Sequence, residues 1–110
     1  MNTSGFIRGM ISKNMEGEKF LIHVATCIEQ ELQERDPDFK VIVMKLKNYE
    51  LFVTGKQESL QLTITETELT ALQQRGPYAL DRKIWRDLEQ QGLQIIHGSG
   101  NYLGYVFMER

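Results

Sequence analysis

His23 and Cys27 stand four residues apart, a spacing that makes an imidazole and a thiol neighbours on one helical turn. A thiol activated by such a histidine is a nucleophile, and the same pair could offer two ligands to zinc. Nothing else in the chain completes either chemistry. The second histidine, His97, is remote, there is no Cys-x-x-Cys, and two ligands do not close a zinc site. Cys27 also borders an apolar stripe, where thiols are usually inert and act as packing. His97 reads as a polar residue at the end of a strand.

The fifteen acids could pair for acid–base work. Those at informative positions have structural roles instead. Glu16 and Glu18 fall in the first turn of a helix, Glu68 in a helix cap, and Asp36 and Asp38 in a turn. None is flanked by the apolar residues that raise a carboxyl pKa. The glycines of "GSGNYLG" (Gly98, Gly100, Gly104) invite a phosphate-loop reading, but a phosphate cradle needs a helix next and strand-like residues follow. A hairpin turn, with Gly104 as a bulge or a close approach, suits them better. We therefore expect no catalytic residue, metal or cofactor.

Basic residues gather in "RGPYALDRKIWRDLEQQG", from Arg75 to Gly92. On a helical wheel Leu80, Ile84 and Leu88 form the buried stripe with Trp85 beside it, and Arg82, Lys83, Arg86 and Gln90 occupy the far face. Residues 65–107 thus read as helix, break, helix and hairpin, the order of a winged helix-turn-helix, whose second helix would meet phosphates and base edges. Against this stand Asp81, Asp87 and Glu89 on the same helix, a wing without lysine or arginine until Arg110, and three preceding strands. A solvated helix face is the plainer account of Arg82, Lys83 and Arg86.

These residues must be positioned by a chain of 110 residues, long enough for one core. Its apolar share of 41% and charged share of 25% are those of an ordinary globular protein. The formal charge of −2 disfavours non-specific nucleic-acid binding, and the single cysteine excludes an intrachain disulfide. "MNTSGFIRGMISKN" lacks the apolar run of a secretory signal, and no segment reads as membrane-spanning, so a cytoplasmic protein is expected. Residues 1–14 form an arm and residues 15–110 one domain.

From Met15 to Arg35 the apolar residues Leu21, Val24, Ala25, Ile28 and Leu32 recur at helical spacing, and "DPD" ends the helix. "FKVIVMKLK" (39–47) is apolar on both faces at its start, as a central strand would be. "YELFVT" (49–54) follows a tight turn at Lys47-Asn48, which Asn can make in the left-handed conformation, and "LQLTI" (60–64) comes after Gly55-Lys56. Thr65 and Glu68 spell a capping box, with Ile64 and Leu69 as its staple. Gly76-Pro77 breaks the helix through a left-handed glycine, and the next begins near Pro77 or at Asp81 and ends at Gly92. "LQIIH", "GSGN" and "YLGYVFM" read as a C-terminal hairpin. The class is α+β: helices packed on an antiparallel sheet. In layout alone the order resembles, short of a final helix, that of the small secretion chaperones of bacterial pathogens.

Tyr78, Trp85, Tyr102, Tyr105 and Phe107 crowd the last third of the chain. As a hairpin, Tyr102–Phe107 would be apolar on both faces, with one face left for an interface that Tyr78 and Trp85 support. The function expected is thus a non-enzymatic protein-interaction or regulatory domain that binds a protein partner and forms a homodimer. A nucleic-acid-binding regulator using Arg82, Lys83 and Arg86 is the alternative. No membrane partner is expected.

Overall fold

Helix α1, Gly17–Gln33, forms on the expected stripe: Phe20, Leu21, Val24, Ile28 and Leu32 are all buried. The computed structural model describes residues 8, 10, 15–95 and 101–108. After α1, an Asx turn in which the Asp36 carboxylate accepts from the Asp38 N–H redirects the chain into the sheet. Strands β1 (Lys40–Lys45), β2 (Tyr49–Thr54) and β3 (Ser59–Ile64) form an antiparallel meander in the order β1-β2-β3. The β1–β2 turn closes with a bond from the Leu46 N–H to the Asn48 carbonyl. No non-glycine described residue has positive φ, so Asn48 is not left-handed as the sequence predicted.

The register assigns every side chain to a face. Ile42 lies opposite Phe52, which lies opposite Gln61; Met44, Glu50 and Thr63 form the next rung. Tyr49, Leu51, Val53, Leu62 and Ile64 point the other way, into the core, with Val41, Val43 and Leu60 packed against it. The helices cover this inner face only. Lys45 lies on the inner side at the sheet's end, bonded to Glu66 and 4.6 Å from the Tyr49 ring centre.

Helix α2 (Glu66–Arg75) starts where Thr65 Oγ1 accepts from the Glu68 N–H at 3.0 Å, with Ile64 and Leu69 buried around the cap. Among the described residues only this half of the capping box forms; the Glu68 carboxylate lies instead 3.8 Å from the Lys83 ammonium. Gly76 ends α2 in extended backbone (φ 168°), not the left-handed turn expected, and among the described residues Gly92 is the glycine with left-handed φ (107°). Helix α3 runs Ala79–Gln90, with Tyr78 rather than Asp81 at its N-cap.

The C-terminal hairpin is not formed. Asn101–Val106 is a short helix, α4, and Leu93–Ile95 has no strand structure; residues 96–100, including His97, Gly98 and Gly100, lie outside the described residues. Burial explains the difference. Tyr102, Leu103 and Val106 are buried together while Tyr105 is exposed, a one-sided pattern that strand alternation would not give. Gly104 has open space where a Cβ would stand, so it is not a point of close approach. Without the two strands, the layout likeness to secretion chaperones also lapses. No described helix is long and apolar enough to cross a membrane.

Thr65→Ala removes the one cap bond at the start of α2. A loss of about 1 kcal/mol in urea unfolding is the expected outcome.

Candidate interaction surface

Of the five aromatic residues expected at an interface, three belong to the interior. Trp85, Tyr102 and Tyr78 are buried, and they surround an ion pair that no local spacing announces. Arg8 and Asp81, 73 residues apart, are both fully buried and bonded bidentately: Nη1 donates to Oδ1 at 2.7 Å and Nη2 to Oδ2 at 2.9 Å. Tyr102 donates its hydroxyl to Asp81 Oδ2 at 2.5 Å, and Trp85 Nε1 donates to that hydroxyl at 3.2 Å. Arg8 Nη1 also donates to the Pro77 carbonyl, and the guanidinium lies 4.8 Å from the centre of the Tyr78 ring. Burial raises the Asp81 carboxyl above the usual carboxylate range, while Arg8 and the Tyr102 hydroxyl draw it back. Burial also raises the Tyr102 phenol, and the Asp81 charge adds to the effect. The network is a clasp across the arm, α3 and α4, in which Arg8 Nε is the one buried donor among the described residues left without a hydrogen-bond partner.

Tyr105 and Phe107 reach further out. Tyr105 is 38% exposed and stacks on Tyr78, their planes 7° apart. Phe107 is partly buried against the core. Tyr78, Tyr105, Met108 and Arg82 border a shallow groove beside the α2–α3 break.

The basic residues are engaged within the molecule. Lys83 donates to Asp87 at 2.8 Å, and Arg82 Nε donates to the Val106 carbonyl at the end of α4. Arg75, Arg82, Lys83 and Arg86 line one cleft between α2 and α3 that also holds Asp87. The wing of a winged helix-turn-helix is absent from the described residues after α3, because α4 is helical.

His23 Nε2 and Cys27 Sγ are 3.8 Å apart, as their spacing on one helical turn placed them. Burial lowers the histidine pKa and raises that of the thiol, so both are held in their neutral forms. Cys27 is buried and receives a bond from Arg8 Nη2. No group of three metal-ligating side chains occurs among the described residues.

The surface that sequence reasoning missed is the outer face of the sheet. Strand β1 is an edge strand, although its residues are those of a central one. Ile42, Met44 and Leu46 are 50%, 44% and 61% exposed, and half-buried Phe52 completes the patch. Toward β3 the same face turns polar: Glu50 Oε1 accepts from Thr63 Oγ1 and from Gln61 Nε2. The signal was present in "KVIVMKL", whose apolar residues fall on both faces of the strand.

The sheet edges, by contrast, are partly blocked. The Leu46–Asn48 bond and the alternation of antiparallel pairing aim the N–H and C=O of Val41 and Val43 away from β2. Glu29 of α1 accepts the Val41 N–H at 3.0 Å, and Gln33 donates to the Phe39 carbonyl. On the far edge Gln91 donates to the Gln61 carbonyl. Such plugs oppose strand addition at these positions, while the exposed apolar side chains lie on the outer face.

No family model, curated protein or solved structure matches this chain.

Asp81→Ala leaves the Arg8 charge buried without its partner. A loss of about 3–5 kcal/mol in denaturant unfolding is expected, with the double replacement Arg8→Met and Asp81→Leu closer to the parent.

Proposed function

We propose that this protein is a small, non-enzymatic interaction domain that binds protein and self-associates through the outer face of its sheet. One observation carries the reading: an edge strand with the composition of a central strand leaves Ile42, Met44 and Leu46 exposed beside Phe52. A two-layer domain of this size has polar residues to spend on such a face, and the β3 half has them. Contiguous exposed apolar residues on a folded domain mark a contact surface. The groove at Tyr105 and Met108 is a second apolar site, in the last third of the chain, where the aromatics are mostly consumed by the core.

The chemistry-bearing groups support the non-enzymatic part of the reading. The neutral His23–Cys27 pair, the Asp81 carboxylate bonded to Arg8 and Tyr102 and the internally bonded Lys83 leave no nucleophile–base arrangement among the described residues.

The test is sedimentation of two variants. Ile42→Lys and Phe52→Lys place charge on the outer face without touching the core, so each should retain the parent's circular dichroism and lose its self-association. Association that survives both substitutions refutes the assignment of this face.

The cleft lined by Arg75, Arg82, Lys83 and Arg86 favours a second reading, a nucleic-acid regulator. Its bases are diluted by Asp87 and Glu68, and counterion release from so few phosphate contacts gives little affinity. No salt-sensitive binding to a DNA duplex at physiological ionic strength is expected in fluorescence anisotropy; tight binding lost with Arg82→Ala and Arg86→Ala would reverse the order of the two readings.

A further inference from the structure

We infer that the occupant of the outer sheet face is a second copy of this chain, packed face to face about a two-fold axis through the Ile42–Phe52 rung. The inference rests on the interaction reading above and adds the partner and its orientation. A second copy has two routes onto a sheet. Strand addition meets a side chain already bonded to the backbone on each edge, Glu29 and Gln33 at Val41 and Phe39, and Gln91 at Gln61. Face-to-face packing is the route that covers the exposed apolar residues.

Orientation follows from the distribution of residues on the face. The apolar residues lie on β1 and β2, and the polar ones toward β3. Apolar contact keeps β1 and β2 over the partner's β1 and β2, and the charges select β1 over the partner's β1. A two-fold axis lying between the sheets and perpendicular to the strands does this, and it inverts the order of the rungs. With the axis at the central rung, Ile42 meets the partner's Ile42 and Phe52 meets the partner's Phe52. The next rungs then exchange: Lys40, one rung below, lies over the partner's Met44, beside the partner's Glu50. The lysine stem can cover that methionine while its ammonium reaches the carboxylate.

The charges fit this arrangement. Lys40 forms no ion pair with the described residues, whereas Lys45 and Lys56 have Glu66 and Asp38. Both described bonds to Glu50 go to Oε1. Two-fold symmetry makes the Lys40–Glu50 contact twice, one at each end of the apolar centre, as an isologous interface does. Other placements fail this condition. An axis parallel to the strands keeps rung heights, so Lys40 would face the partner's Thr54 and Glu50 the partner's Met44.

Size sets the strength. Three strands about 4.8 Å apart and six residues of about 3.4 Å give a face of roughly 14 by 20 Å. That footprint is below the roughly 800 Å² per partner of a standard interface. The dimer is accordingly a weak, concentration-dependent one.

The experiment is sedimentation equilibrium of the full chain from roughly 10 µM to 1 mM, on the parent, Lys40→Glu, Glu50→Lys, the double exchange of both, and Phe52→Lys. Thermal melts check that each variant is folded. The expected result is a parent dimer, abolished by Phe52→Lys. Each single charge reversal should weaken it about fivefold or more, and the double exchange should restore it to within about twofold, because a rim pair is modest but occurs twice. A dimer abolished by Phe52→Lys but indifferent to the charge exchange would overturn this orientation and leave the face assignment standing. A dimer that Phe52→Lys does not disturb would overturn both. A parent that stays monomeric throughout would overturn the second copy as occupant, leaving a different protein as the partner of the face.

Discussion

A guanidinium and a carboxylate withdrawn together from water govern the arrangement of this molecule. Once Asp81 is buried, its charge must be met by donors, and Arg8 and Tyr102 are the donors that reach it. Each brings a different part of the chain: Arg8 comes from the N-terminal arm, Asp81 from α3 and Tyr102 from α4. Such a pair adds little compared with apolar residues of the same volume, but removing either member strands a charge. Its effect is therefore on which arrangement is formed. The guanidinium also lies over Tyr78, Tyr78 stacks on Tyr105, and Trp85 donates to Tyr102, so the aromatic cluster is ordered around one cation.

The sheet obeys a different constraint. Its inner face is filled by β2 and β3, whose alternate residues are buried beneath α1 and α3, and its edges are plugged by Glu29, Gln33 and Gln91. These plugs satisfy backbone groups that would otherwise invite another strand. What is left without a partner is the apolar half of the outer face. On the proposed reading the outer face is the route to association, a face whose two charges are spaced to complement a copy of itself.

This also bears on chemistry. Several side chains that could act as acids, bases, nucleophiles or anion contacts are bonded within the molecule. Lys83 braces α3 to α2 through Glu68, and Arg82 takes the last carbonyl of α4. His23 and Cys27 face each other as neutral groups beside Arg8. Their neighbouring positions reflect packing around the buried cation, which makes a structural role the economical account of both.

Much of the fold was legible residue by residue. The 3.6-residue stripe of α1, the alternation of "LQLTI", the cap at Thr65 and the break at Gly76-Pro77 are local signals, each decided by backbone and side-chain groups within a few positions. They determine where elements lie and which side of each is apolar. Three matters were settled only by tertiary structure. A strand's own residues do not say which neighbours it will have, so "FKVIVMKLK" read as central while the meander order puts it at the edge. A segment as short as "NYLGYV" has too few periods to distinguish helix from strand, and burial of Tyr102, Leu103 and Val106 beside Asp81 selects the helix. The partner of Asp81 lies 73 residues away, beyond any spacing rule. Local encoding works where the stabilising groups are neighbours in sequence; pairing order, a short helix and a buried ion pair depend on groups that meet only after the chain has folded.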